Sequence, residues 1–369
     1  MFQEIPSQNL GKVYLFSSHI IPPRGDIICT MKMSDFKYNL PEEKIAQFPP
    51  KERGTSKLLV LDRESGKIGH KRYFNVLEYI KSGDVVVLNE TKVEKRRTFF
   101  LRETGKRVEI LFLNHTEDRK WYCLVRGARF LNEGEILHDE YDGNIKVRVS
   151  SRLDNGFLIE PYLGDAEDIF NKVGHTPIPP YMKRSDTPED YLRYNTTFAR
   201  LNGSVAAPTA SLNLTSEILE EMQSKGVKIV KVELKIGWGT FAPIREENIE
   251  EHSIHEEEIN ITKETADIIN EAKSSGHDIW AFGTTVARTL ESCNSPRVCE
   301  YSGLTKLYIY PGYKWRVVDH LVTNFHMPDS SLILLVSSFA GKENIKRAYE
   351  EALENDYKFL SYGDSMLII

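Results

Sequence analysis

The sequence predicts a mixed α/β main domain interrupted by an inserted all-β module. Alternating helix and strand patterns occupy residues 33–92 and resume from 176 to 369. Residues 93–175 instead break into short strand-like segments separated by turns, which is typical of a small β-barrel or sandwich. Residues 1–32 match neither pattern and lack the layout of a secretory signal, so we expect a poorly ordered N-terminal extension there.

The first α/β segment contains a short helix and two strands. Pro41 followed by two glutamates is typical of a helix start. The apolar runs Leu58–Asp62 and Val85–Leu88 predict buried strands, and each lies next to a glycine-containing turn. In the all-β module, the predicted strands are Arg96–Arg102, Val108–Leu113, Trp121–Arg126, Ile145–Ser150 and Phe157–Pro161.

The stretch Gly203–Glu258 holds the most distinctive loops. An apolar, proline-stiffened loop leads to Thr215, a residue type that caps helix N-termini. The next strand, Val227–Ile236, alternates apolar and charged residues. Because loops held by a rigid unit commonly carry function, the loops at both ends of this helix–strand unit are candidate walls of a ligand cleft. A well-punctuated α/β core without a site is the alternative.

The C-terminal part continues the α/β pattern. Thr262 is predicted to cap one helix, and the strand Ile279–Phe282 runs through a glycine and two threonines into a helix ending at Glu291. Such a junction places backbone N–H groups at a sheet edge, where small ligands bind. The remaining predicted elements are strands at Leu307–Tyr310 and Val317–Thr323 and helices at about Ser331–Ala340 and Glu343–Asn355.

Composition narrows the class of protein. The chain has 369 residues, 40% hydrophobic and 28% charged, as expected for a soluble globular protein. It has no apolar run of the roughly 18 residues that span a bilayer, so we expect no membrane partner. A net charge of -6 argues against coating of nucleic acid by bulk charge. The four cysteines are mostly far apart, which indicates a reduced, cytoplasmic protein with Cys293 and Cys299 as a weak candidate pair.

The ordered motifs carry a resemblance to a known family. They are DFKYNLPEEKIAQFP, SKLLVLDRESGKI, GDVVVLNETKV, VEILFL, PIPPYMKR, VAAPTA, GTFAPIR, HSIHEE, GTTVARTLE, IYPGY, DHLVTNFHMP and YKFLSYGDSML. From about Met33 to Ile369, the chain resembles the S-adenosylmethionine:tRNA ribosyltransferase-isomerase family of queuosine biosynthesis. The many blocks in this order make the resemblance specific.

The resemblance implies an α/β domain interrupted by a small β-barrel, and it implies a reaction. The ribosyl part of S-adenosylmethionine moves to the aminomethyl group of 7-aminomethyl-7-deazaguanine at the tRNA wobble position. Epoxyqueuosine forms, and adenine and methionine leave. S-adenosylmethionine is then a substrate, and neither a cofactor nor a metal is implied. We also expect a monomer.

Two positions depart from the family pattern. The family usually reads APTAGLHFT where this chain has Asn213 in place of the histidine. It usually reads LHxGxGTF where this chain has Lys235. An asparagine keeps hydrogen bonding but cannot shuttle protons near neutral pH, and a lysine keeps positive charge without the titration of imidazole.

Forming an epoxide and expelling adenine requires a base and an acid with pKa values near working pH. The histidines that remain in the family blocks are His252, His255 and His326, and these are the candidate catalytic residues. The first two share one face if that segment is helical. A metal site and a solvated turn are the alternatives for this pair. The absence of a third ligand at the usual spacing argues against the metal site.

Other residues in the family blocks are candidates for holding the substrate. Aromatic rings suit the sulfonium cation, carboxylates suit the cation or the ribose hydroxyls, and an arginine suits the methionine carboxylate. The candidate substrate-binding residues are Pro208, Thr209, Asn213, Lys235, Gly239, Thr240, Thr284, Arg288, Glu291, Asn324, Phe325, Tyr362 and Asp364.

A basic strip is the candidate tRNA contact. Lys95, Arg96 and Arg97 are positive in a chain that is acidic overall, and phosphate contacts need local positive charge. A solvated charged face is the alternative.

Two functional hypotheses therefore stand. The first is the enzyme, and the second is a tRNA- or nucleoside-binding relative whose catalysis is impaired by the two histidine replacements. An ordinary methyltransferase is disfavoured because no glycine-rich loop follows an early strand.

Overall fold

The fold is described from a computed structural model, which covers residues 31–116, 118–127, 131–237 and 243–369. The expectation for the extension falls almost entirely on residues 1–30, outside this range. Met31 and Lys32 lie against residues 247–250, where the Met31 N–H donates to the Glu250 carboxylate at 3.2 Å. No helix in the described ranges combines the length and the apolar character that crossing a membrane requires.

The elements alternate as an α/β protein with a β-rich interruption. The strands are β1 (Lys57–Leu61), β2 (Ile68–Arg72), β3 (Val85–Asn89), β4 (Thr91–Val93), β5 (Arg97–Leu101), β6 (Arg107–His115), β7 (Trp121–Arg126), β8 (Ile136–Asp139), β9 (Lys146–Leu153), β10 (Gly156–Pro161), β11 (Leu201–Ser204), β12 (Lys228–Leu234), β13 (Glu257–Ile261), β14 (Ile279–Phe282), β15 (Tyr301–Thr305), β16 (His320–Asn324) and β17 (Ser365–Ile368). The helices are α1 (Ala166–Val173), α2 (Pro188–Arg193), α3 (Ser216–Ser224), α4 (Lys263–Ser274), α5 (Thr284–Glu291), α6 (Ser331–Ala340) and α7 (Lys342–Glu354).

The main domain is built on a nine-stranded mixed sheet in the order β15-β13-β12-β3-β14-β16-β17-β1-β2. Its centre, β12-β3-β14-β16, is parallel. The strands at this centre are apolar and buried, as in β3 and β14, where every residue is buried. A parallel sheet of this kind is covered on both faces, which explains the continuous apolar runs in the sequence.

The inserted module is a closed six-stranded barrel in the order β10-β7-β6-β5-β8-β9. Its interior is filled by residues such as Phe100, Phe112 and Trp121, and Phe170 from α1 packs on them. The mixed α/β fold with an inserted small barrel is therefore confirmed. The domain boundaries at 92/93 and 175/176 stay a prediction.

The two ends of the barrel segment lie together on the main domain. Arg97 and His175 exchange backbone hydrogen bonds of 3.3 and 2.7 Å. Just before the barrel, β4 pairs in parallel with β11. The barrel is thus attached where the chain both leaves and re-enters the α/β domain.

Local sequence signals placed several elements correctly. Thr215 and Thr262 cap α3 and α4 through their side-chain oxygens, at 3.2 Å in both cases. The strand predicted at Leu307–Tyr310 is wrong: this segment pairs with no described strand, and the neighbouring strand, β15, ends two residues before it at Thr305. Strand β8 and helix α1 were not predicted inside the all-β module. In α1, Ile169 and Phe170 are buried.

The two cysteines considered as a pair lie side by side as free thiols. The Sγ atoms of Cys293 and Cys299 are 3.2 Å apart, after the end of α5. Cys123 is fully buried inside the barrel. Cys29 falls outside the described residues.

Candidate active site

The candidate active site lies at the carboxyl edge of the central parallel strands. There β12, β3, β14 and β16 end at Leu234, Asn89, Phe282 and Asn324. The antiparallel strand β17 begins at the same edge with Ser365, because its first residue pairs with Asn324. In open α/β sheets, ligands bind in the crevice outside the carboxyl ends of the strands.

One buried amide organises this edge. Asn89 is fully buried, and its Nδ2 donates to the Leu234 carbonyl at 3.0 Å and lies 3.5 Å from Thr285 Oγ1. Its Oδ1 accepts the N–H groups of Leu234 and Thr91, both at 3.2 Å. Asn89 therefore fixes the end of β12 and the first turn of α5. Asn89 was not among the predicted site residues, although a polar residue directly after the apolar run Val85–Leu88 marks a strand end.

The proline-stiffened loop is fastened across the edge. The Thr209 hydroxyl donates to Asn324 Oδ1 at 2.8 Å, and Ser211 donates to the Phe282 carbonyl at 3.3 Å. Asn324 Nδ2 in turn lies 3.5 Å from the Asp364 carbonyl. The predicted residues Thr209 and Asn324 are thus brought together, and Pro208 lies buried just before them.

Thr284 opens α5 at the same edge and is 7% exposed. The preceding Gly283 has a φ of 115°, a conformation that favours glycine. Its N–H donates to the Val322 carbonyl of β16 at 2.8 Å. Glycine therefore allows α5 to start directly behind the ends of β14 and β16.

The positions that replace the usual histidines have different surroundings. Asn213 is 5% exposed, and its side-chain amide makes no hydrogen bond within the described part of the chain. Lys235 Nζ lies 2.8 Å from Glu258 Oε1, with its stem against Gly203. The charge of Lys235 is therefore paired with a neighbouring carboxylate. The predicted Gly239 and Thr240 lie outside the described residues.

His326 is enclosed in the protein. Burial lowers the pKa of its imidazole to about 3, so the ring is neutral near pH 7. The ring Nε2 lies 2.8 Å from Thr323 Oγ1. The backbone N–H of His326 donates to the Tyr349 hydroxyl at 3.0 Å, and the Tyr38 hydroxyl donates to the backbone carbonyl. A neutral, enclosed imidazole suits hydrogen bonding and lacks the proton of a general acid at neutral pH.

The histidine pair is not helical. A short 3-10 turn ends at Glu251, and residues 252–256 have no helical structure, so the helical interpretation is wrong. His252 Nδ1 lies 2.9 Å from Glu246 Oε2, and its ring packs edge-on against Tyr308. His255 is exposed. Within the described ranges, no cluster of three or more His, Cys, Asp and Glu side chains is placed to hold a metal ion.

Arg288 is committed to a buried ion pair. Its guanidinium pairs with Glu257, and the two side chains are 5% and 3% exposed. Arg288 Nε donates to the Leu307 carbonyl at 3.1 Å, while its buried Nη2 has no hydrogen-bond partner among the described residues. Glu257 Oε1 accepts the Gly237 N–H at 3.3 Å. The pair therefore supports the loop that follows β12.

Several other predicted substrate residues support the edge from within the protein. Glu291 accepts the N–H groups of residues 316–318, the closest at 2.9 Å. Asp364 accepts those of Lys57 and Lys358, at 2.6 and 2.7 Å. Burial raises the pKa of the Asp364 carboxyl, although these hydrogen bonds oppose the shift. Phe325 and Tyr362 are also buried; Phe325 packs in an aromatic core cluster, and Tyr362 donates to Asp190 at 2.8 Å.

The three residues of the basic strip have different surroundings in the fold. Arg96 is buried: its guanidinium donates to the Leu113 and Gly203 carbonyls at 2.7 and 3.3 Å and lies 4.8 Å from the Trp121 ring. Arg97 Nε lies 2.9 Å from Glu109 Oε1, without the geometry of a hydrogen bond. Lys95 forms no ion pair with any described carboxylate. Arg96 therefore joins the barrel to the main domain, and Lys95 is the member of the strip best placed for a ligand.

Comparisons with known proteins agree with this architecture. The family described as "Queuosine biosynthesis protein" matches residues 33–368. Proteins named "S-adenosylmethionine:tRNA ribosyltransferase-isomerase" from Caldanaerobacter subterraneus subsp. tengcongensis and Chlorobaculum parvum are each 44% identical, and one from Staphylococcus haemolyticus is 43% identical. Each alignment covers 92% of this chain and 100% of the relative.

A solved structure is also similar. The crystal structure of an S-adenosylmethionine tRNA ribosyltransferase from Thermotoga maritima matches with a TM-score of 0.53 and 33% identity. The match covers 91% of this chain and 100% of that structure. Since the family match and the relatives extend over nearly the whole chain, this protein belongs to the queuosine biosynthesis family of S-adenosylmethionine:tRNA ribosyltransferase-isomerases.

Proposed function

We propose that this protein transfers and isomerises the ribosyl moiety of S-adenosylmethionine onto 7-aminomethyl-7-deazaguanine at the wobble position of tRNA. The product is epoxyqueuosine-tRNA, and adenine and methionine are released. The observation that carries this proposal is the end-to-end alignment with relatives of that name at 43–44% identity. S-adenosylmethionine is a substrate in this reaction.

The carboxyl edge offers groups suited to the ribosyl donor. Thr209, Thr284 and Asn324 present hydroxyl and amide groups, which hydrogen bond to sugar hydroxyls. These groups are already fixed by the loop and strand contacts, so substrate binding orders few side chains. We place the ribose of S-adenosylmethionine here.

His252 is our candidate for proton transfer. Glu246 Oε2 lies 2.9 Å from its Nδ1, which orients the ring. The loop that carries His252 is held near the edge, because the Ile244 N–H donates to the Asp329 carbonyl at 2.8 Å. His326, neutral and enclosed, is proposed to position its own segment, and exposed His255 to contact the tRNA.

The experiment is adenine release by the purified protein from S-adenosylmethionine and precursor-modified tRNA. Release that depends on both substrates supports the enzyme. Binding of both without release would favour the catalytically impaired relative, in which Asn213 and Lys235 are too poor replacements for histidine. A His252→Gln variant should lose at least about 100-fold in rate if His252 transfers the proton.

We further propose that the protein works in the cytoplasm as a monomer. The monomer is supported by the edge contacts Thr209–Asn324 and Asn89–Leu234, which are all made within one chain. Light scattering at working concentrations tests the oligomeric state.

A further inference from the structure

We propose that four side chains beside the cleft, Phe48, Lys95, Arg184 and Tyr191, form a stacking surface for unpaired nucleotides of the tRNA anticodon loop. This inference rests on the proposed function, because it assumes that tRNA is the substrate. The stacking surface differs from the basic strip Lys95–Arg97 and shares only Lys95 with it.

An exposed aromatic ring with a fixed cation defines the first half of this surface. Phe48 is 61% exposed, although a large apolar side chain is usually covered. The Arg184 guanidinium lies 4.2 Å from the centre of its ring. Arg184 is held by the Gln47 carbonyl at 2.7 Å and by both Asp190 oxygens at 2.7 and 2.8 Å. Ring and cation are therefore presented together in one orientation.

In the second ring–cation pair, the ring belongs to the same helix as Asp190 and the cation to the segment after β4. The Lys95 ammonium is 4.6 Å from the centre of the Tyr191 ring. The loop 47–53 is tied to α2, since Arg193 donates to the Pro50 carbonyl at 2.6 Å and Arg53 to the Leu192 carbonyl at 2.9 Å. Both ring–cation pairs thus belong to one rigid surface.

The local charge suits a polyanion. Lys51, Arg53 and Lys95 form no ion pair with a carboxylate in the described ranges, although the chain carries a net charge of -6. Burial lowers the pKa of the Arg53 guanidinium, and the nearby positive charge of Arg193 lowers it further. The exposed acids within loop 47–53 and α2 are Glu52 and Glu189, and Glu189 lies 3.7 Å from Arg193. Positive charge is therefore in excess at the surface.

The surface adjoins the candidate cleft. Tyr362 donates to Asp190, the residue that anchors Arg184, at 2.8 Å. Two residues later, the Asp364 carbonyl lies 3.5 Å from Asn324 Nδ2 at the carboxyl edge. A wobble base that enters the cleft must leave its stack, and its unstacked neighbours then need a substitute ring. Aromatic and guanidinium groups provide such rings for any base.

A protein partner is the competing occupant, because Leu192 beside Tyr191 is 69% exposed. We favour RNA because each ring carries a cation, which suits a phosphate backbone and bases better than an apolar protein face. Self-association is therefore treated as an outcome of the test.

The test compares Phe48→Ala, Tyr191→Ala and their combination with the wild-type protein. The matched control is Phe74→Ala, which removes another exposed phenylalanine, 51% exposed, from a position outside the stacking surface. We expect the KM for tRNA and the Kd for a modified anticodon stem–loop to rise roughly 5- to 100-fold for each stacking variant. The KM for S-adenosylmethionine and the thermal stability should stay at wild-type values. Phe48→Trp, which keeps a ring, should bind as wild type.

Salt titrations separate stacking from charge. The alanine variants should lose affinity without a change in the slope of log K against log salt, while Lys51→Ala should reduce the slope by about one. Wild-type tRNA affinity in the Phe48→Ala/Tyr191→Ala double variant, with an active parent enzyme, overturns the inference. Loss of a dimer in that variant, with tRNA affinity unchanged, would also overturn the inference and would identify a protein interface instead. If the parent enzyme releases no adenine, the proposed function fails, and the stem–loop binding data still decide the stacking surface.

Discussion

Thr209 and Asn324 meet across the candidate cleft, where the threonine hydroxyl donates to the asparagine side-chain oxygen at 2.8 Å. This bond joins the proline-stiffened loop to the end of β16. Thr209→Val keeps the shape and removes the donor, so kcat/KM for S-adenosylmethionine should fall about 3- to 10-fold. Thr209→Ser keeps the hydroxyl and should stay within about twofold of wild type. A loss in Thr209→Ser with wild-type activity in Thr209→Val would show that the methyl group matters instead of the bond.

The buried pair Arg288–Glu257 should be costly to break on one side. Glu257→Gln leaves the guanidinium without its counter-charge, and we expect the free energy of unfolding to fall by about 3–5 kcal/mol. Replacing both residues, as Arg288→Met with Glu257→Leu, should recover most of that loss. Urea unfolding provides the measurement, with Asp267→Asn in the exposed pair Lys263–Asp267 as control, expected to lose less than about 1 kcal/mol. A double variant as unstable as Glu257→Gln would contradict the pairing argument.

Restoring histidine at positions 213 and 235 tests the roles of Asn213 and Lys235. If the usual histidines only orient substrate, Asn213 substitutes through its amide and Lys235 through its charge. Asn213→His with Lys235→His should then raise single-turnover adenine release by less than about tenfold. A gain of several hundredfold, on the order of full acid–base catalysis, would identify them as proton shuttles.

Asp190 should make the protein sensitive to acid. Burial alone would raise the pKa of its carboxyl, but Arg184 and the hydrogen bonds from Thr187 and Tyr362 lower it to about 2. A lowered carboxyl pKa stabilises the folded state above the unfolded value of 3.8, and the contribution disappears as the pH falls towards 2.

The matching measurement is urea unfolding of wild type and Asp190→Asn from pH 7 to pH 2. The difference in unfolding free energy should be constant above about pH 5 and should shrink between pH 4 and pH 2. A difference that does not change over this range would show that the carboxylate charge contributes nothing.

The cysteine pair after α5 should form a disulfide under oxidising conditions. The Sγ atoms lie 3.2 Å apart, Cys299 is exposed, and burial raises the pKa of Cys293 to about 12. The Cys299 thiolate should therefore attack oxidised glutathione first, releasing one glutathione thiol. Cys293 then displaces the second, and the protein loses two hydrogens.

Peptide mapping by mass spectrometry should find the 293–299 disulfide in wild type and glutathione on Cys299 in Cys293→Ser. Persistent glutathione on wild-type Cys299 would show that the pair cannot close. Cys123 is fully buried in the barrel and should remain a free thiol in both proteins.

The elements with strong local signals were predictable from the sequence. Ile279–Phe282 and the helix ending at Glu291 are bounded by a buried apolar run and a glycine, and the structure places them at those residues. β15 was missed because Tyr301–Thr305 contains Gly303 and is half exposed at the sheet edge, where neither β propensity nor burial marks a strand.

The candidate site was predictable only in part. Thr209 and Asn324 are 115 residues apart, and their contact depends on the strand order, which local patterns do not specify. The charged candidates Arg288, Glu291 and Asp364 have the chemistry of ligand-binding groups but are engaged by backbone or ion-pair partners. Residue type gives chemistry, and tertiary context decides whether a ligand or the protein itself uses it.

The hydrogen bonds of the Asn89 side chain also connect the end of β12 to the segment that leads into the barrel. The same side chain that holds both polar backbone groups of Leu234 accepts the N–H of Thr91, in the strand that leads into the barrel. One side chain is thus a shared anchor of the candidate cleft and of the chain segment that enters the barrel.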